Sequence, residues 1–429
     1  MTTPPLTYLA ALVDGGGTVP PELSAVRQLV ERGHDVTVLA EDSMEHEVMA
    51  TGATFRRWAT APNRADRSEE NDPYRDWEVK SPMKLFERLL DTQFMGPAAR
   101  YVADVQQAVA EQRPDVVLCS QFAFGAMVAA EAARIPFVVL MPNVYLLPAE
   151  GMPPLGMGFK PAKSAAGRLR DRVVGGFTMR VWDKKGLPRL NALRAELGLE
   201  PVAHFWDQVH QARRELVMTS PDFDFPATLP APARYVGPVL DDPTWVEPWS
   251  PPPGREPLVL VALSSTFQDQ GATIQRIIDG LATLPVRVVV TAGPALDPAT
   301  LRARANVSIV ASAPHSEVLK HAALVINHGG HGTVIRALAA GVPMVVMSHG
   351  RDQAENATRV TTRGAGIAVK KGAKPAKIAA AVRTILDDPS SRTNAERLGE
   401  AIRRDAARTS LVDELEAASD RSYVSSKPA

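Results

Sequence analysis

The sequence predicts an α/β protein of two domains, each with a parallel β-sheet covered by helices on both faces. Three observations support this fold class. Short apolar runs alternate with amphipathic helical segments in both halves of the 429-residue chain, the pattern of sheets whose parallel strands are joined by helices. A proline-rich stretch separates the two alternating halves, as a linker would. Each half also places a glycine-rich turn between a strand and a helix, at the sheet edge where such folds bind ligands.

The first half begins with a strand–helix–strand unit. Tyr8–Val13 is apolar and leads into three glycines, and Pro20–Arg32 carries its leucine and valine residues on one helical face. Gly33 ends this helix, Val36–Ala40 is the next strand, and His34 between them is expected to be solvated. Four further segments continue the alternation: helix Gln106–Gln112, strand Asp115–Cys119, helix Gly125–Ala133 and strand Phe137–Met141.

Two long segments interrupt this alternation. Trp58–Phe94 is charged and includes aromatic residues, and Pro142–Val181 begins rich in proline, glycine and methionine. Loops of this length in a compact domain are usually either functional lids or disordered segments. Their aromatic and methionine content predicts the walls of a pocket for a largely apolar molecule. The candidate residues of this pocket are Trp77, Phe86, Phe122, Tyr145 and Met152.

The proline-rich stretch sets the domain boundaries. We predict a first domain over residues 1–225, a linker over 226–256, a second domain over 257–405 and a C-terminal segment over 406–429. The last helical pattern is amphipathic and charged, and we expect it to pack back across the first domain. Four segments restart the alternation in the second domain: strand Leu258–Leu263, helix Ala272–Leu281, strand Val286–Thr291 and strand Val307–Ala311.

The overall composition is that of a globular protein. Hydrophobic residues make up 45% and charged residues 22%, and the formal net charge is zero, so neither nucleic acid nor an anionic membrane surface is indicated as a partner. The single cysteine, Cys119, lies in an apolar run and excludes an internal disulfide or a multi-cysteine metal site. The first residues lack the pattern of a signal peptide, and no apolar run reaches the ~18 residues of a membrane span. A cytoplasmic location without stable membrane insertion is therefore expected.

The most informative segment is Leu324–Val360, which reads as strand, glycine-rich turn, helix, strand and polar loop. The turn His328–Thr333 contains three glycines and opens a short helix. Glycines let a phosphate approach the backbone, and the start of a helix supplies free N–H groups and a positive dipole. Asp352 and Gln353 follow the next strand, Met344–Met347. The segment predicts a diphosphate site with a polar pair for the group that the diphosphate carries.

The same segment carries a family resemblance. It resembles the donor-binding signature of nucleotide-sugar-dependent glycosyltransferases with two Rossmann-like domains, the GT-B type. That family includes UDP-glucuronosyltransferases, plant flavonoid glucosyltransferases and bacterial antibiotic and macrolide glycosyltransferases, and it implies two domains that face each other across a cleft. The matching residues are His328, Gly330, Gly332, Thr333, Gly341, Val342, Pro343, Asp352, Gln353, Asn356 and Ala357.

The resemblance implies roles for several donor-side residues. Asp352 and Gln353 would bind sugar hydroxyls, although Asp352 could instead cap the helix that follows it. His328 and the glycine turn would bind the diphosphate, on which negative charge grows as the sugar–oxygen bond breaks. Alternatively, His328 has a structural role at the end of a strand. The residues implied at the diphosphate are His328, Gly330, Gly332 and Thr333, with Ser265 and Thr266 nearby.

The loop Ala311–His315 occupies the place of the family's base-binding loop. Many members carry an aromatic residue there that stacks on the base, whereas Ala311 and Ser312 cannot stack. Base contacts are therefore expected from the backbone around Ala313–His315, with Pro314 and His315 as the candidate residues.

The first domain departs from the family at the acceptor base. Relatives often use a histidine in the first strand–helix turn, oriented by an aspartate after a later strand, but Thr18 and Ser120 stand at these positions. Neither hydroxyl is a base near neutral pH. Three alternatives remain open: Asp14 is the base, Glu22 is the base, or the acceptor is itself acidic and the enzyme mainly positions it. Asp14 could equally shape the glycine turn, and Glu22 could stabilise a helix start. Asp14 and Thr18 are the candidate catalytic residues.

The leading hypothesis is a metal-independent, inverting glycosyltransferase that moves a sugar from a UDP- or dTDP-sugar to a small, largely apolar, aromatic or polyketide-like acceptor. The nucleotide sugar is a co-substrate, and no further cofactor is expected. No Asp-x-Asp pair stands at a strand end as a metal site would require, and Asp222 and Asp224 are expected to shape a turn in the linker region. The alternatives are a nucleotide-sugar epimerase and a nucleotide-sugar-binding auxiliary protein without turnover. We expect no nucleic-acid partner, and a monomer or homodimer.

Overall fold

The computed structural model describes residues 4–408 and 410–420. It contains two separate parallel sheets, and this confirms the predicted fold class. The first sheet has the order β3-β2-β1-β4-β5-β6-β7. Its strands are β1 Thr7–Ala11, β2 Asp35–Ala40, β3 Thr54–Arg57, β4 Val116–Ser120, β5 Phe137–Met141, β6 Arg214–Val217 and β7 Ala233–Tyr235. The helices of this half are α1 Val19–Glu31, α2 Glu45–Met49, α3 Pro82–Leu89, α4 Ala98–Gln112, α5 Phe124–Ala132, α6 Ala165–Lys185 and α7 Leu187–Glu196.

The second sheet has the order β10-β9-β8-β11-β12-β13. Its strands are β8 Leu258–Ala262, β9 Arg287–Thr291, β10 Val307–Val310, β11 Ala322–Asn327, β12 Met344–Val346 and β13 Gly366–Ala368. The remaining helices are α8 Gly271–Leu281, α9 His315–His321, α10 His331–Ala339, α11 Gln353–Thr362, α12 Pro375–Asp387, α13 Pro389–Ala406 and α14 Ser410–Ala417.

Both sheets are buried on both faces because alternate strand residues enter different cores. In β1, Leu9 packs into the cluster on one face, and Tyr8 and Ala10 pack into the cluster on the other. In β8, Leu258 and Val259 divide in the same way. Successive side chains of a strand point to opposite faces, so continuous apolar runs are needed in strands that helices cover on both sides. The apolar runs in the sequence therefore predicted the strands well.

The linker begins later than its composition predicted. Residues 233–235, inside the predicted linker, form β7, which pairs in parallel with β6 at the edge of the first sheet. The proline-rich composition concealed this strand because an edge strand of three residues needs few backbone N–H groups. The first domain therefore extends through Tyr235.

The C-terminal end returns to the first domain as expected. Leu411, Val412 and Leu415 of α14 pack into the cluster that contains Tyr8 and Leu29. The part of the predicted C-terminal segment at residues 409 and 421–429 lies outside the described residues.

The two places where the chain passes between domains lie side by side. The Ser220 hydroxyl donates to the Asp405 carboxylate at 2.7 Å. A side chain on Gly237 would lie 2.3 Å from the Asp405 carbonyl oxygen, so the backbones are in close contact. The start of the linker and the end of α13 are thus held together at Asp405.

The environment of His34 differs from the sequence expectation. Instead of being solvated, His34 is buried, accepts a bond from the Leu6 N–H at 3.1 Å and lies 3.1 Å from Glu416 of α14. The sequence could not indicate this because the partner is contributed by the returning C-terminal helix. Within the described residues, no helix combines the length and apolar character that crossing a membrane requires.

Candidate active site

A cavity of about 650 Å³ lies between the two domains. Its wall includes the turns after β1, β4 and β5 of the first sheet and after β8, β11 and β12 of the second. The carboxyl ends of both sheets therefore face a common space, the usual position of ligands in open α/β sheets. The second-domain wall is polar, whereas much of the first-domain wall is apolar and aromatic.

The glycine-rich turn presents unpaired backbone donors to the cavity. Asn327 at the end of β11 accepts a bond from the Gly329 N–H at 2.7 Å and so shapes the turn. Gly329 has a φ of 94°, and a side chain there would lie 2.7 Å from the Gln353 carbonyl oxygen. Gly330 precedes α10 without a side-chain cap, which leaves first-turn N–H groups for a ligand. This confirms the strand–turn–helix geometry on which the diphosphate prediction depends.

His328 lies in the cavity wall as a neutral imidazole. Burial, with the nearby positive charges of His349 and Arg351, lowers the pKa of His328 to about 3. Its Nδ1 is buried and has no hydrogen-bond partner within residues 4–408 and 410–420. A buried polar atom without a partner is costly unless a ligand or water pairs with it. His328 is therefore suited to donate a hydrogen bond to a bound anion.

Two arginines that the sequence interpretation did not include line the same end of the cavity. Arg336 of α10 donates through Nη1 to the Asp241 carbonyl at 3.0 Å, and its buried Nε is unpaired within the described chain. Arg351 donates to the Thr266 hydroxyl at 2.9 Å and to the Asp76 carboxylate at 2.8 Å. Their guanidinium groups add positive potential to the N-terminus of α10. Arg336 follows the glycine turn by one helical turn and Arg351 directly precedes Asp352, so their closeness to these residues was a signal that the sequence interpretation did not use.

Asp352 and Gln353 both line the cavity, but their side chains are used differently. The Gln353 amide oxygen accepts bonds from the N–H groups of His349 at 2.6 Å and Gly350 at 3.1 Å, and its amide nitrogen donates to Gln268 at 2.8 Å. Gln353 therefore shapes its own loop. Asp352 stands at the helix start but makes no side-chain capping bond. One of its oxygens accepts from Asn356 at 3.0 Å, and the capping alternative has no support in this geometry.

The base-binding region contains a linker tryptophan in addition to the expected loop. His315 lines the cavity, whereas Pro314 is not among the described residues that do so. Burial, with Arg336 nearby, lowers the pKa of His315 to about 4. Trp245 of the linker lines the cavity as well, and its side chain lies near Glu47 of the first domain, whose pKa it lowers slightly against the effect of burial.

The apolar end of the cavity is formed mainly by residues other than the predicted ones. Of the candidates, Phe122 lines it. The other four lie behind or beside the described cavity wall. Trp77 packs on Phe267 at 4.9 Å, Phe86 packs on Trp182 at 4.7 Å, Tyr145 is buried with its hydroxyl toward Glu215, and Met152 contacts Arg359. The aromatic residues that line the cavity with Phe122 are Tyr74, Phe94, Trp182 and Trp206.

Four of these lining aromatics, Phe94, Phe122, Trp182 and Trp206, form one packed group. Phe94 contacts Trp182 at 5.0 Å and Trp206 at 5.9 Å between ring centroids, in edge-to-face geometry. They come from four segments that are separated in sequence and meet only in the fold. In the sequence, each of them could equally be an ordinary core residue. Composition therefore predicted an aromatic wall but did not indicate which residues form it.

The two candidate catalytic residues are placed differently. Thr18 lines the cavity, but Asp14 is completely buried and bonds to Arg67 at 2.7 Å and to the Gly16 N–H at 2.8 Å. Burial alone would raise the pKa of Asp14, but the guanidinium groups of Arg67 and Arg64 outweigh it and lower the pKa. In this arrangement Asp14 is an anion that holds Arg67 at the cavity wall, and it does not reach an acceptor.

Glu22 is also poorly placed to act as a base. It is buried beneath the first turn, and one carboxyl oxygen has no partner in the described residues. Burial raises the pKa of Glu22 well above its ordinary value. A hydrogen bond from Ser120 lowers this pKa, and the negative charge of Asp14 raises it further. Glu22 is also not among the described residues that line the cavity.

Comparisons with known proteins agree with this geometry. Residues 275–418 match the family model described as Erythromycin biosynthesis protein CIII-like, C-terminal domain, and residues 16–181 match a glycosyl transferase 4-like domain. The chain is 29% identical over 419 residues to 4'-demethylrebeccamycin synthase of Lentzea aerocolonigenes, which covers 95% of this chain and 97% of that protein. It is 26% identical to demethyllactenocin mycarosyltransferase of Streptomyces fradiae, over 94% of this chain and 85% of that one.

A solved structure extends the likeness to the whole fold. The calicheamicin glycosyltransferase CalG4 has a TM-score of 0.75 and 25% identity to this chain, and covers 97% of it and 98% of its own chain. The chain is a GT-B glycosyltransferase. The family resemblance of the glycine-rich segment is thereby confirmed, and sugar transfer is favoured over the epimerase and auxiliary-protein alternatives.

A prediction concerns Asp352 of this glycosyltransferase. Burial raises the pKa of Asp352 above its ordinary value of 3.8, although the hydrogen bond from Asn356 lowers it in part. If its carboxylate accepts bonds from donor hydroxyls, Asp352→Asn should raise the donor KM about tenfold, the size of one lost charge-assisted bond. As pH falls through the raised pKa, the wild-type enzyme should lose donor affinity while the variant does not. Steady-state kinetics over pH test this, with exposed Asp297→Asn as the control. If the donor KM rises equally at low pH in the wild type and in Asp352→Asn, the carboxylate of Asp352 does not bind the donor.

Proposed function

We propose that the enzyme transfers a sugar, with inversion, from a UDP- or dTDP-sugar to a small and largely apolar acceptor. The observation that supports this most is the two-sided cavity, with unpaired hydrogen-bond donors at one end and an aromatic wall at the other. Cavities that combine a few placed polar groups with an apolar lining are typical small-molecule sites. The nucleotide sugar occupies the second-domain end, and the acceptor lies against Phe122, Trp182 and Trp206.

The opposed placement of the two ends accounts for inversion. An acceptor oxygen held by the first domain approaches the anomeric carbon from the side opposite the diphosphate. The new carbon–oxygen bond forms as the bond to the diphosphate breaks, the electron pair leaves with the diphosphate, and the acceptor proton is released. A single displacement of this kind inverts the configuration at the anomeric carbon.

The leaving diphosphate is stabilised by the second domain. His328 donates a hydrogen bond, the first turn of α10 contributes backbone N–H groups, and Arg336 and Arg351 add positive charge. Groups fixed in advance around a developing charge stabilise the transition state more than the ground state. These residues form the leaving-group site that the proposed reaction needs. In the described chain, no three His, Cys, Asp or Glu side chains are clustered as metal ligands.

The first domain mainly positions the acceptor. Thr18 reaches the cavity but cannot take a proton near neutral pH, and Asp14 and Glu22 lie behind the wall. We therefore favour an acceptor whose own hydroxyl ionises readily, such as a phenol. The large planar rings that line the wall are suited to stacking on an aromatic acceptor. We place this reaction in the cytoplasm, by an enzyme that is a monomer or homodimer.

The proposal is tested by turnover. The full chain is incubated with UDP- and dTDP-glucose or -rhamnose, and with matched phenolic and aliphatic alcohols of similar size. Mass spectrometry then detects the added sugar and nucleotide release measures the rate. We expect transfer to phenols, with the rate rising with pH as the phenol ionises. Binding of no nucleotide sugar at millimolar concentration would reject the proposal, and faster transfer to the aliphatic alcohols would reject the acceptor class.

Trp245 is proposed to stack on the nucleobase in place of the missing loop aromatic. Two hydrogen bonds, one on each side of Trp245, attach the linker to the base loop. The Ser316 N–H donates to Asp242 at 3.1 Å, and the Glu247 N–H donates to Ser312 at 3.0 Å. Trp245 is thus held within a few residues of Ser312, and its half-buried ring lines the cavity.

Trp245→Ala should weaken UDP and dTDP binding about tenfold, since stacking of a base on an aromatic side chain contributes about 1–3 kcal/mol. Trp245→Phe should retain most of the affinity. Isothermal titration measures this, with inorganic pyrophosphate as a ligand that has no base and whose affinity should not change. The matched control is Trp249→Ala, a second linker tryptophan that packs near His321 at 6.0 Å. If Trp245→Ala and Trp249→Ala lose the same affinity for UDP and dTDP, Trp245 does not stack on the base.

A further inference from the structure

Helix α6 has two contrasting sides. Toward the protein, Trp182 is buried, lines the cavity and stacks on Phe205 with ring centroids 4.9 Å apart. On the opposite side, Leu169, Val173 and Phe177 are 58%, 61% and 60% exposed. Their spacing of four residues places them in one stripe along the helix. Large apolar side chains at this exposure, aligned on one surface, mark an interaction site.

The stripe is surrounded by positive charge. Every exposed residue of α6 is either apolar or basic: Ala165, Ala166, Arg168, Leu169, Arg172, Val173, Phe177, Arg180, Lys184 and Lys185. Residues 157–185 include eight lysines and arginines but only two acidic residues, Asp171 and Asp183. Both are already engaged, by Arg170 and His204 respectively. A chain with zero net charge thus concentrates cations on one helix.

We refer to Leu169, Arg172, Val173, Phe177 and Arg180 as the α6 outer face. Arg172 and Arg180 form no ion pair in the described part of the chain, so their charge is available to a partner. Beyond the start of α6, Met157 is 49% exposed, and the neighbouring Leu155 lines the cavity. The apolar surface is therefore close in the chain to the acceptor end of the cavity.

We propose that the α6 outer face binds the surface of an anionic lipid bilayer. A helix with an apolar stripe and flanking lysines and arginines lies in the lipid–water interface, with its apolar side chains among the acyl chains and its cations at anionic headgroups. The helix that lies on the lipid would also carry Trp182 into the acceptor site. An apolar acceptor that partitions into the bilayer would then reach the cavity without crossing much water. Only this last step rests on the proposed function.

Charge argues against a second copy of the chain as the partner. Two copies of the α6 outer face brought together would oppose cations to cations, and like charges facing each other disfavour an interface. An anionic surface supplies both the missing counter-charge and an apolar phase for Leu169, Val173 and Phe177. The fold agrees with peripheral binding, because the described helices include none suited to span the bilayer.

The test is co-sedimentation of the full chain with vesicles, without nucleotide sugar. One vesicle set is phosphatidylcholine alone, and the other contains equal amounts of phosphatidylcholine and phosphatidylglycerol. We expect binding to the anionic set, weakened by added salt, and little binding to the neutral set. Arg172→Glu with Arg180→Glu should reduce the partition coefficient at least about tenfold, given the contribution of each basic residue near such a surface. Leu169→Ser with Phe177→Ser should cause a loss of similar size.

Matched controls change residues of the same kind elsewhere. Met49→Ser alters a side chain that is 60% exposed in α2, and Arg383→Glu with Arg397→Glu reverses two exposed charges in the second domain. Both controls should bind vesicles like the wild type, and turnover of a water-soluble acceptor should be the same in all variants. Equal binding to both vesicle sets, or no loss in the α6 variants, would overturn the proposal. If light scattering detects a dimer of the wild type that Leu169→Ser with Phe177→Ser dissociates, the α6 outer face mediates self-association instead. Because no donor is present, this failure is separate from failure to transfer sugar.

Discussion

Replacement of His328 by alanine is expected to lower kcat by about 10²–10³-fold, the usual cost of removing one fixed donor to a developing negative charge. The imidazole is neutral because burial lowers the pKa of His328 to about 3, so it contributes a hydrogen bond rather than a charge. Its unpaired Nδ1 has no other described partner to satisfy. Rapid-quench kinetics with a saturating nucleotide sugar measure the chemical step directly.

Two comparisons separate this role from a structural one. His328→Gln retains an N–H donor near the same place and should recover part of the lost rate. His321→Ala changes an exposed histidine at the end of α9 and should behave as the wild type. Because the folded pKa lies far below the ordinary value of 6.5, kcat/KM should show no inflection near pH 6.5 from this residue. A His328→Ala enzyme with the wild-type rate would exclude the leaving-group role.

Asp224→Ala is expected to have the largest effect on stability. Asp224 lies between β6 and β7 of the first domain and pairs with Arg359 of α11 at 2.7 Å, with side chains 0% and 2% exposed. It also accepts bonds from the Tyr145 N–H at 2.8 Å and the Tyr235 hydroxyl at 3.0 Å. Removing one member of a buried ion pair leaves an uncompensated charge, which costs about 3–5 kcal/mol. Denaturant unfolding should record a loss of this size.

The neighbouring Asp222 provides a matched control. It pairs with Arg404 at 2.8 Å, but both side chains are more than half exposed, and exposed pairs contribute about 0–1 kcal/mol. Asp222→Ala should therefore leave the free energy of unfolding nearly unchanged. The donor KM should rise in Asp224→Ala alone, because α11 begins at the loop that carries Asp352. A stability loss below about 1 kcal/mol in Asp224→Ala would show that the domains are held together elsewhere.

The fold was largely predictable because its strands are buried on both faces. A run such as Leu258–Ala262 must then be apolar throughout, and its alternation with helices indicates parallel pairing. The edge strand β7 escaped prediction because it is short and lies among prolines. Asp224 was assigned to a turn near the linker, since its partner is 135 residues away in sequence.

The residues proposed for the donor side could be chosen from the sequence because one strand–turn–helix–strand unit contains most of them. His328 and Asp352 are close in the chain, and the local geometry of a parallel sheet brings them together. The acceptor wall depends on tertiary packing, in which Phe94, Trp182 and Trp206 meet from separate segments. The sequence also could not indicate that Gln353 is already occupied by its own loop. Net charge concealed the cations of α6, because a total contains no information on where charges lie.

The contact at Asp405 has a consequence for the timing of the reaction cycle. Both chain connections between the domains meet there, so we expect any opening of the domains to be a rotation about this point. Opening must separate Asp76 from Arg351 and Trp77 from Phe267, which join the domains beside the cavity. Where product release requires the domains to open, breaking these contacts adds a barrier to it. We therefore expect the lifetime of these contacts to contribute to the turnover rate alongside the transfer step.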